Sequence, residues 1–201
     1  MSLRPRRSCL YMPGSNARAL EKSRTLAADA LILDLEDAVA PDAKAMARNQ
    51  VAAAAKAGGF GKREIVIRIN GLKTPWGGDD LVAAAEASPD AILVPKVSTP
   101  GDIMMAAKAL REAGASEKTR LWAMMETPLA MLNADSIART AADPASRLSV
   151  FVMGTNDLAK ELRGAHTPGR EPLLTSLGLS LLAARAHGLA ILDGVYNEIA
   201  D

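Results

Sequence analysis

One pattern constrains this chain more than any other: short apolar runs alternate with longer Ala-rich stretches. The runs are SCLYM (8–12), ALIL (30–33), IVIRI (65–69), AILV (91–94), LWAMM (121–125), SVFVM (149–153) and LAIL (189–192). Each is short and largely apolar, as a parallel strand buried on both faces should be. The stretches between them carry helix signals. Ser15 or Asn16 is placed to cap a helix with Leu20, Ser23, Leu26 and Ala27 on one side. Pro41 and Asp42 open a second helix, through Met46 and Val51, and Gly58-Gly59 ends it. Thr99-Pro100 and Thr127-Pro128 repeat one device: a hydroxyl N-cap, then proline at the first helical position, where its missing N–H costs nothing. Glu171-Pro172 opens the last long helix and Gly188 closes it. Residues 70–80 and 163–171 read as irregular loops. Such alternation predicts a parallel sheet with right-handed crossovers. The fold class is α/β, either a (β/α)8 TIM-type barrel or an open doubly wound sheet. No G-x-G-x-x-G follows any run, which weighs against the dinucleotide-binding version.

The 201 residues suit one large domain spanning 1–201 and are enough to bury a core. A formal net charge of +1 gives no argument for nucleic acid or an anionic membrane as partner. Arg4, Arg6 and Arg7 form a basic cluster that reads as a solvated terminus. Cys9 is the only cysteine, so an internal disulfide is excluded and a reducing compartment fits. The start lacks the apolar segment of a signal peptide, and no apolar stretch reaches the ~18 residues of a membrane span. The expectation is a soluble, cytoplasmic protein. The nine methionines are most simply core filler.

Polar residues fall at the ends of the runs. The first ends in Pro13-Gly14-Ser15 and the second in Asp34-Leu35-Glu36-Asp37. The third carries Arg68 and then Asn70, and the fourth ends in Pro95-Lys96. The fifth ends in Glu126, the sixth in Gly154-Thr155-Asn156-Asp157 and the seventh in Asp193. In a barrel these ends converge on one mouth, where active sites sit. Glu126 and Asp157 suit a hard cation such as Mg²⁺, which takes few protein carboxylates and keeps its waters. The alternative for each is a salt bridge or a helix N-terminal charge interaction. Without metal, two close carboxylates should repel, so neutralising one should leave the protein as stable or slightly more so. Glu36 and Asp37 are placed either to orient metal-bound waters or, for Asp37, to cap the next helix. Arg68, inside a run, needs an anionic partner, and its planar fork matches a carboxylate. Lys96 is a ligand for substrate or a partner for one of these acids. His166 and His187 find no catalytic partner in the sequence.

The segments RSCLYMPGSN, LILDLEDAVAPDAKAMAR, VIRINGL, ILVPKV, METPLAM and VFVMGTNDLA, in that order, resemble the citrate lyase beta-subunit-like family, with its malyl-CoA and citramalyl-CoA lyase and 2-oxo acid aldolase relatives. The resemblance covers nearly the whole chain. It implies a TIM-type barrel and a Mg²⁺-dependent carbon–carbon lyase that releases a 2-oxo acid and an acyl-CoA. It implies Glu126 and Asp157 as the Mg²⁺ ligands and Arg68 as the residue binding the oxo-acid carboxylate. Glu36 and Asp37 become the acidic pair near the metal waters. Pro13 and Gly14 form a rim turn, with Lys96 also at the substrate and Arg18 and Lys22 toward the phosphates of coenzyme A. A homo-oligomer, trimer or hexamer, goes with it. Relatives continue beyond the seventh strand into a further helix, an eighth strand and a C-terminal segment with a catalytic aspartate, which the resemblance leaves unmatched here. Two other functions stand beside the lyase: a CoA-independent 2-oxo acid aldolase, and a non-catalytic binding or assembly subunit that keeps the metal site.

Overall fold

Every apolar run becomes a strand. A computed structural model describes residues 4–198. The strands are β1 (Cys9–Pro13), β2 (Ala30–Asp34), β3 (Glu64–Arg68), β4 (Ala91–Val94), β5 (Arg120–Met125), β6 (Leu148–Met153) and β7 (Ala190–Leu192). The helices are α1 (Ala17–Ser23), α2 (Lys44–Ala57), α3 (Gly77–Ala87), α4 (Pro100–Glu112), α5 (Pro128–Leu132), α6 (Ala134–Arg139), α7 (Thr155–Glu161) and α8 (Leu174–Ala186). The contacts divide the chain into two compact units, 1–94 with 108–120, and 95–107 with 121–201.

In the first unit β1, β2, β3 and β4 pair in chain order, all parallel. All five residues of β2 and all five of β3 are buried, as the unbroken apolar runs require. The register sets Pro13 beside Asp34 and Asp34 beside Arg68. An acid and a base thus end adjacent strands side by side. Gly14 follows β1 where its N–H donates to Asp34 O at 2.8 Å, and a Cβ there would sit 2.6 Å from that same oxygen. Only glycine allows so close a backbone approach.

The basic cluster is not simply solvated. Arg6 forks onto Glu64 at 2.6 and 2.8 Å, Arg7 onto Asp29 at 3.0 and 2.9 Å, and Arg4 donates to Lys62 O at 2.7 Å. A buried Glu64 at the start of β3 needs a cation, and the segment before β1 supplies it. The expected loop 70–80 is also shorter than its Gly and Pro content suggested. Gly77 already opens α3, with Asp79 and Asp80 in its first turn. Asp80 is almost wholly buried; it accepts from Asn70 N and Nδ2 at 3.0 and 2.6 Å and from Arg48 Nε at 2.7 Å. Just before α3, Trp76 is half-buried, with the Lys44 ammonium 5.4 Å from its ring centroid.

In the second unit β5, β6 and β7 are parallel in chain order, with a register irregularity at Leu121/Trp122. Leu121 to Met125 are buried, and Trp122 is fully enclosed. The helix expected after Thr127-Pro128 breaks at Asn133 into α5 and α6. Ser176, Ser180, Ala183 and Ala184 form the buried side of α8, while Leu174, Leu179, Leu181 and Leu182 are exposed. Among the described residues, no helix is long and apolar enough to cross a membrane.

Candidate active site

In the second unit, three charged side chains meet. Glu126 follows β5 directly and is 1% exposed. Lys96 lies in the segment before α4, and its backbone N–H donates to Glu126 Oε1 at 2.7 Å. Its ammonium stands 3.7 Å from the same oxygen and donates to Asp157 Oδ2. Asp157 comes from the first turn of α7. Glu126 and Asp157 therefore share one cationic partner, Lys96. Of the two roles left open for Lys96, partner to the acids is the one this geometry shows, so the repulsion expected between Glu126 and Asp157 is offset by a positive charge within reach of both.

Local structure fixes each member. Thr99 and Asp102 cap α4 reciprocally: Asp102 Oδ2 accepts from Ser98 N and Thr99 N at 3.0 and 2.8 Å, and Thr99 Oγ1 accepts from Asp102 N at 3.3 Å. The same segment is tied to the start of α5, with Ser98 Oγ 2.8 Å from Thr127 Oγ1 and Asn133 Nδ2 donating to Ser98 O at 2.9 Å. Lys96 itself has φ +54°, in the left-handed region that few residues with a Cβ adopt. Gly154, which precedes α7, leaves room for the acid: a Cβ there would lie 2.6 Å from Glu126 Oε2.

These residues fit a hard divalent ion. They offer two carboxylates, one buried and one part-exposed, around a place where positive charge is held. Among the described residues, no group of three or more His, Cys, Asp or Glu is arranged to hold a metal. Two carboxylates, with the remaining positions left to water and substrate, are a set that Mg²⁺ accepts.

In the first unit, Arg68 is the centre of a second cluster. It is 5% exposed, and its fork meets Asp34 through Nε–Oδ1 and Nη2–Oδ2, both at 2.6 Å. Nη1 lies 2.8 Å from Glu36 Oε2 and 3.4 Å from Asp37 Oδ2. The Tyr11 ring lies beside it, its centroid 5.1 Å from the guanidinium carbon. Burial alone would lower the Arg68 pKa, but the hydrogen bonds and charge of Asp34, then the charge of Glu36, raise it further above its already high value. Arg68 is a permanent cation ringed by three acids. Asp34 also accepts from Glu36 N and Ala38 N, at 2.8 and 3.1 Å, and Lys44 Nζ holds Leu35 O and Glu36 O at 2.8 and 2.7 Å. Asp37 does not cap the next helix, whose start has no side-chain cap, and Asp34 closes the turn before it.

The other sequence candidates fall as follows. Pro13 ends β1, half-buried, and Gly14 is buried against Asp34. Arg18 and Lys22 are exposed on α1. Asn70 anchors Leu35 O and Asp80 rather than standing open. His187 lies 2.8 Å from the exposed carboxylate of Asp135. Asp34 and Tyr11 were not singled out. The signal for Asp34 is its place as the last residue of an apolar run, in phase with Arg68 on the next one.

Comparison with known proteins gives this geometry a context. A family model described as HpcH/HpaI aldolase/citrate lyase matches residues 7–201. A protein named (3S)-malyl-CoA thioesterase from Cereibacter sphaeroides (strain ATCC 17025) is 52% identical over 98% of this chain, and the match covers 65% of that protein. Citrate lyase subunit beta from Escherichia coli K12 is 34% identical over 97% of this chain and 65% of its own length. The chain thus spans about two thirds of the length of these relatives. Among solved structures, CitE from Mycobacterium tuberculosis in complex with magnesium, acetoacetate and coenzyme A superposes with a TM-score of 0.79 at 28% identity, covering 99% of this chain and 69% of that one. Of the two α/β folds the alternation allowed, the TIM-barrel type that the resemblance implied is the fold found, with seven parallel strands among the described residues.

Proposed function

Because this chain belongs to the HpcH/HpaI aldolase/citrate lyase family, we propose that it is a Mg²⁺-dependent lyase that cleaves a carbon–carbon bond in a hydroxyacyl thioester of coenzyme A. The products would be a 2-oxo acid and an acyl-CoA. The observation that carries this reading is the convergence of Glu126 and Asp157 on one cation position. Those two residues would hold the ion. Once bound, it would supply Lewis-acid stabilisation of charge at the 2-oxo acid oxygen.

Arg68 serves the substrate carboxylate in this reading. Asp34 occupies the two-pronged face of its fork, so the incoming carboxylate would take the place of Asp37 at Nη1. Asp37 is the longest of its three contacts and its side chain is 67% exposed. Glu36 and Asp37 act here as acids paired to Arg68, able to orient water beside it. Lys96 in the second unit, and Pro13 and Gly14 in the first, would each serve the substrate, and Arg18 and Lys22 on α1 the coenzyme phosphates. The enolate of the departing acyl-CoA has to be protonated by an acid. A homo-oligomer acting in the cytoplasm belongs to the same reading.

A second reading is favoured by one observation, the 52% identity to a protein named (3S)-malyl-CoA thioesterase. There the thioester is hydrolysed and the carbon skeleton stays whole. One assay separates the two. The protein is incubated with (3S)-malyl-CoA and Mg²⁺, and glyoxylate is trapped as its hydrazone while free thiol is titrated in parallel. Cleavage gives glyoxylate without thiol, and hydrolysis gives thiol without glyoxylate. Citryl-CoA and citramalyl-CoA are run beside it. A chain that turns over none of the three with Mg²⁺ present is not the enzyme proposed.

A further inference from the structure

Lys96 touches the acid pair with both its ends. The main-chain N–H is fixed on Glu126 Oε1, while the ammonium reaches toward Glu126 and Asp157 together. A lysine side chain has a flexible stem, and this one is 42% exposed. Its backbone, in contrast, is held by the α4 cap and by the contacts of Ser98 to Thr127 and Asn133. The ammonium thus sits on a flexible, part-exposed stem, while the hydrogen bond that aims Glu126 comes from the backbone.

We propose that Lys96 is a built-in counter-cation, which neutralises the Glu126–Asp157 pair in the metal-free protein and is displaced by the divalent ion as it loads. This rests on the metal assignment made above and extends it by naming the residue that sets the affinity. A divalent ion and an ammonium within a few ångströms of the same two carboxylates repel each other strongly. One must leave, and the lysine is the one on a flexible tether. The metal-free site then never presents a buried carboxylate without compensation, a state that is costly in an apolar surrounding. The cost of that protection is weaker metal binding.

The test is a Mg²⁺ titration of the wild type, Lys96→Met, Lys96→Asn and Lys96→Arg, by calorimetry and by melting temperature. Met keeps the backbone strain that Lys96 already carries, and Asn relieves it, so the two together separate charge from backbone. Lys96→Met should melt lower than the wild type without metal, and Lys96→Asn less so, because Asn tolerates the left-handed backbone. Both should bind Mg²⁺ about tenfold more tightly, the order expected for removing one competing charge at this distance. Their Mg²⁺-induced rise in melting temperature should be correspondingly larger. Lys96→Arg keeps the charge and should not gain affinity. Unchanged or weaker Mg²⁺ binding in Lys96→Met and Lys96→Asn overturns the proposal while the metal site stands. Glu126→Gln tests that site separately: if it binds Mg²⁺ as the wild type does, the metal assignment fails and the counter-cation role goes with it.

Discussion

Gly154 stands so close to Glu126 that a Cβ there would lie 2.5 Å from the acid's own Cβ and 2.6 Å from Oε2. Its φ of −89° is open to any residue, so the constraint is space and not backbone freedom. Gly154→Ala should therefore push Glu126 out of place, destabilise the protein by about 1–3 kcal/mol as overpacking does, and weaken Mg²⁺ binding. Denaturant titration and calorimetry would read the two effects, and a variant with wild-type stability and affinity would show that Glu126 has slack. Arg68 gives the second prediction at this scale. Read from sequence, Arg68→Lys should harm substrate binding more than folding. The structure changes that balance, because the fork is already spent on buried Asp34 at two hydrogen bonds of 2.6 Å. An ammonium cannot make both, so Arg68→Lys should destabilise by about 2 kcal/mol, the scale of a hydrogen bond to a charged group. Urea denaturation decides it, and an unchanged midpoint would mean that the cluster is not rigid. Glu126, Asp157 and Arg68 were legible as residues because each breaks an apolar run or its end. What Asp34 does was not legible, since it depends on β2 and β3 pairing in phase. Lys96 was legible as a partner for one acid; that it reaches both was not, because this depends on a backbone turn that lysine rarely makes.

The starts of α1 and α5 follow the chemistry of their capping residues. Asn16 Oδ1 accepts from Ala19 N at 3.0 Å, and Thr127 Oγ1 accepts from Ala130 N at 3.0 Å, as the sequence promised for both caps. Thr127→Val keeps the shape and removes the acceptor. It should cost about 1 kcal/mol through the lost cap. It also removes the contact to Ser98 Oγ, so it should loosen the segment that carries Lys96. A melting curve measures the first effect and amide exchange over residues 95–99 the second; protection equal to the wild type would exclude that coupling. Where the reading of elements failed, it failed on composition. Residues 70–80 hold enough Gly and Pro to look like loop throughout, yet Asp80 binds Asn70 and Arg48 and lets α3 begin at Gly77. The stretch from Pro128 reads as one helix, yet it breaks at Asn133, whose side chain turns to Ser98 O. Both outcomes rest on partners far away in sequence, which a local pattern does not contain.

Over the whole molecule, alternation was enough to give the α/β class, seven strands and their parallel sense, because two-faced burial forces apolar runs. The two units were not visible, since no change of composition marks their boundary. The first unit carries an acid-sensitive tie at its entry. Arg7, by side-chain and then backbone hydrogen bonds, holds the Asp29 carboxyl well below the usual carboxylate range. A depressed folded-state pKa adds stability above the unfolded value, and that stability is lost as pH falls through the folded one. Asp29→Asn should therefore be less stable than the wild type at neutral pH and lose less on acidification below about pH 4. Melting temperature against pH tests this, and parallel curves would remove Asp29 from the acid response. The two tryptophans of the chain offer a further handle, for they fall one to each unit. Trp122, sealed in β5, should emit at short wavelength, and Trp76, half-buried beside the Lys44 ammonium, at longer wavelength. Replacing either by phenylalanine leaves a single lamp, so fluorescence can follow the loss of one unit while the other stays dark.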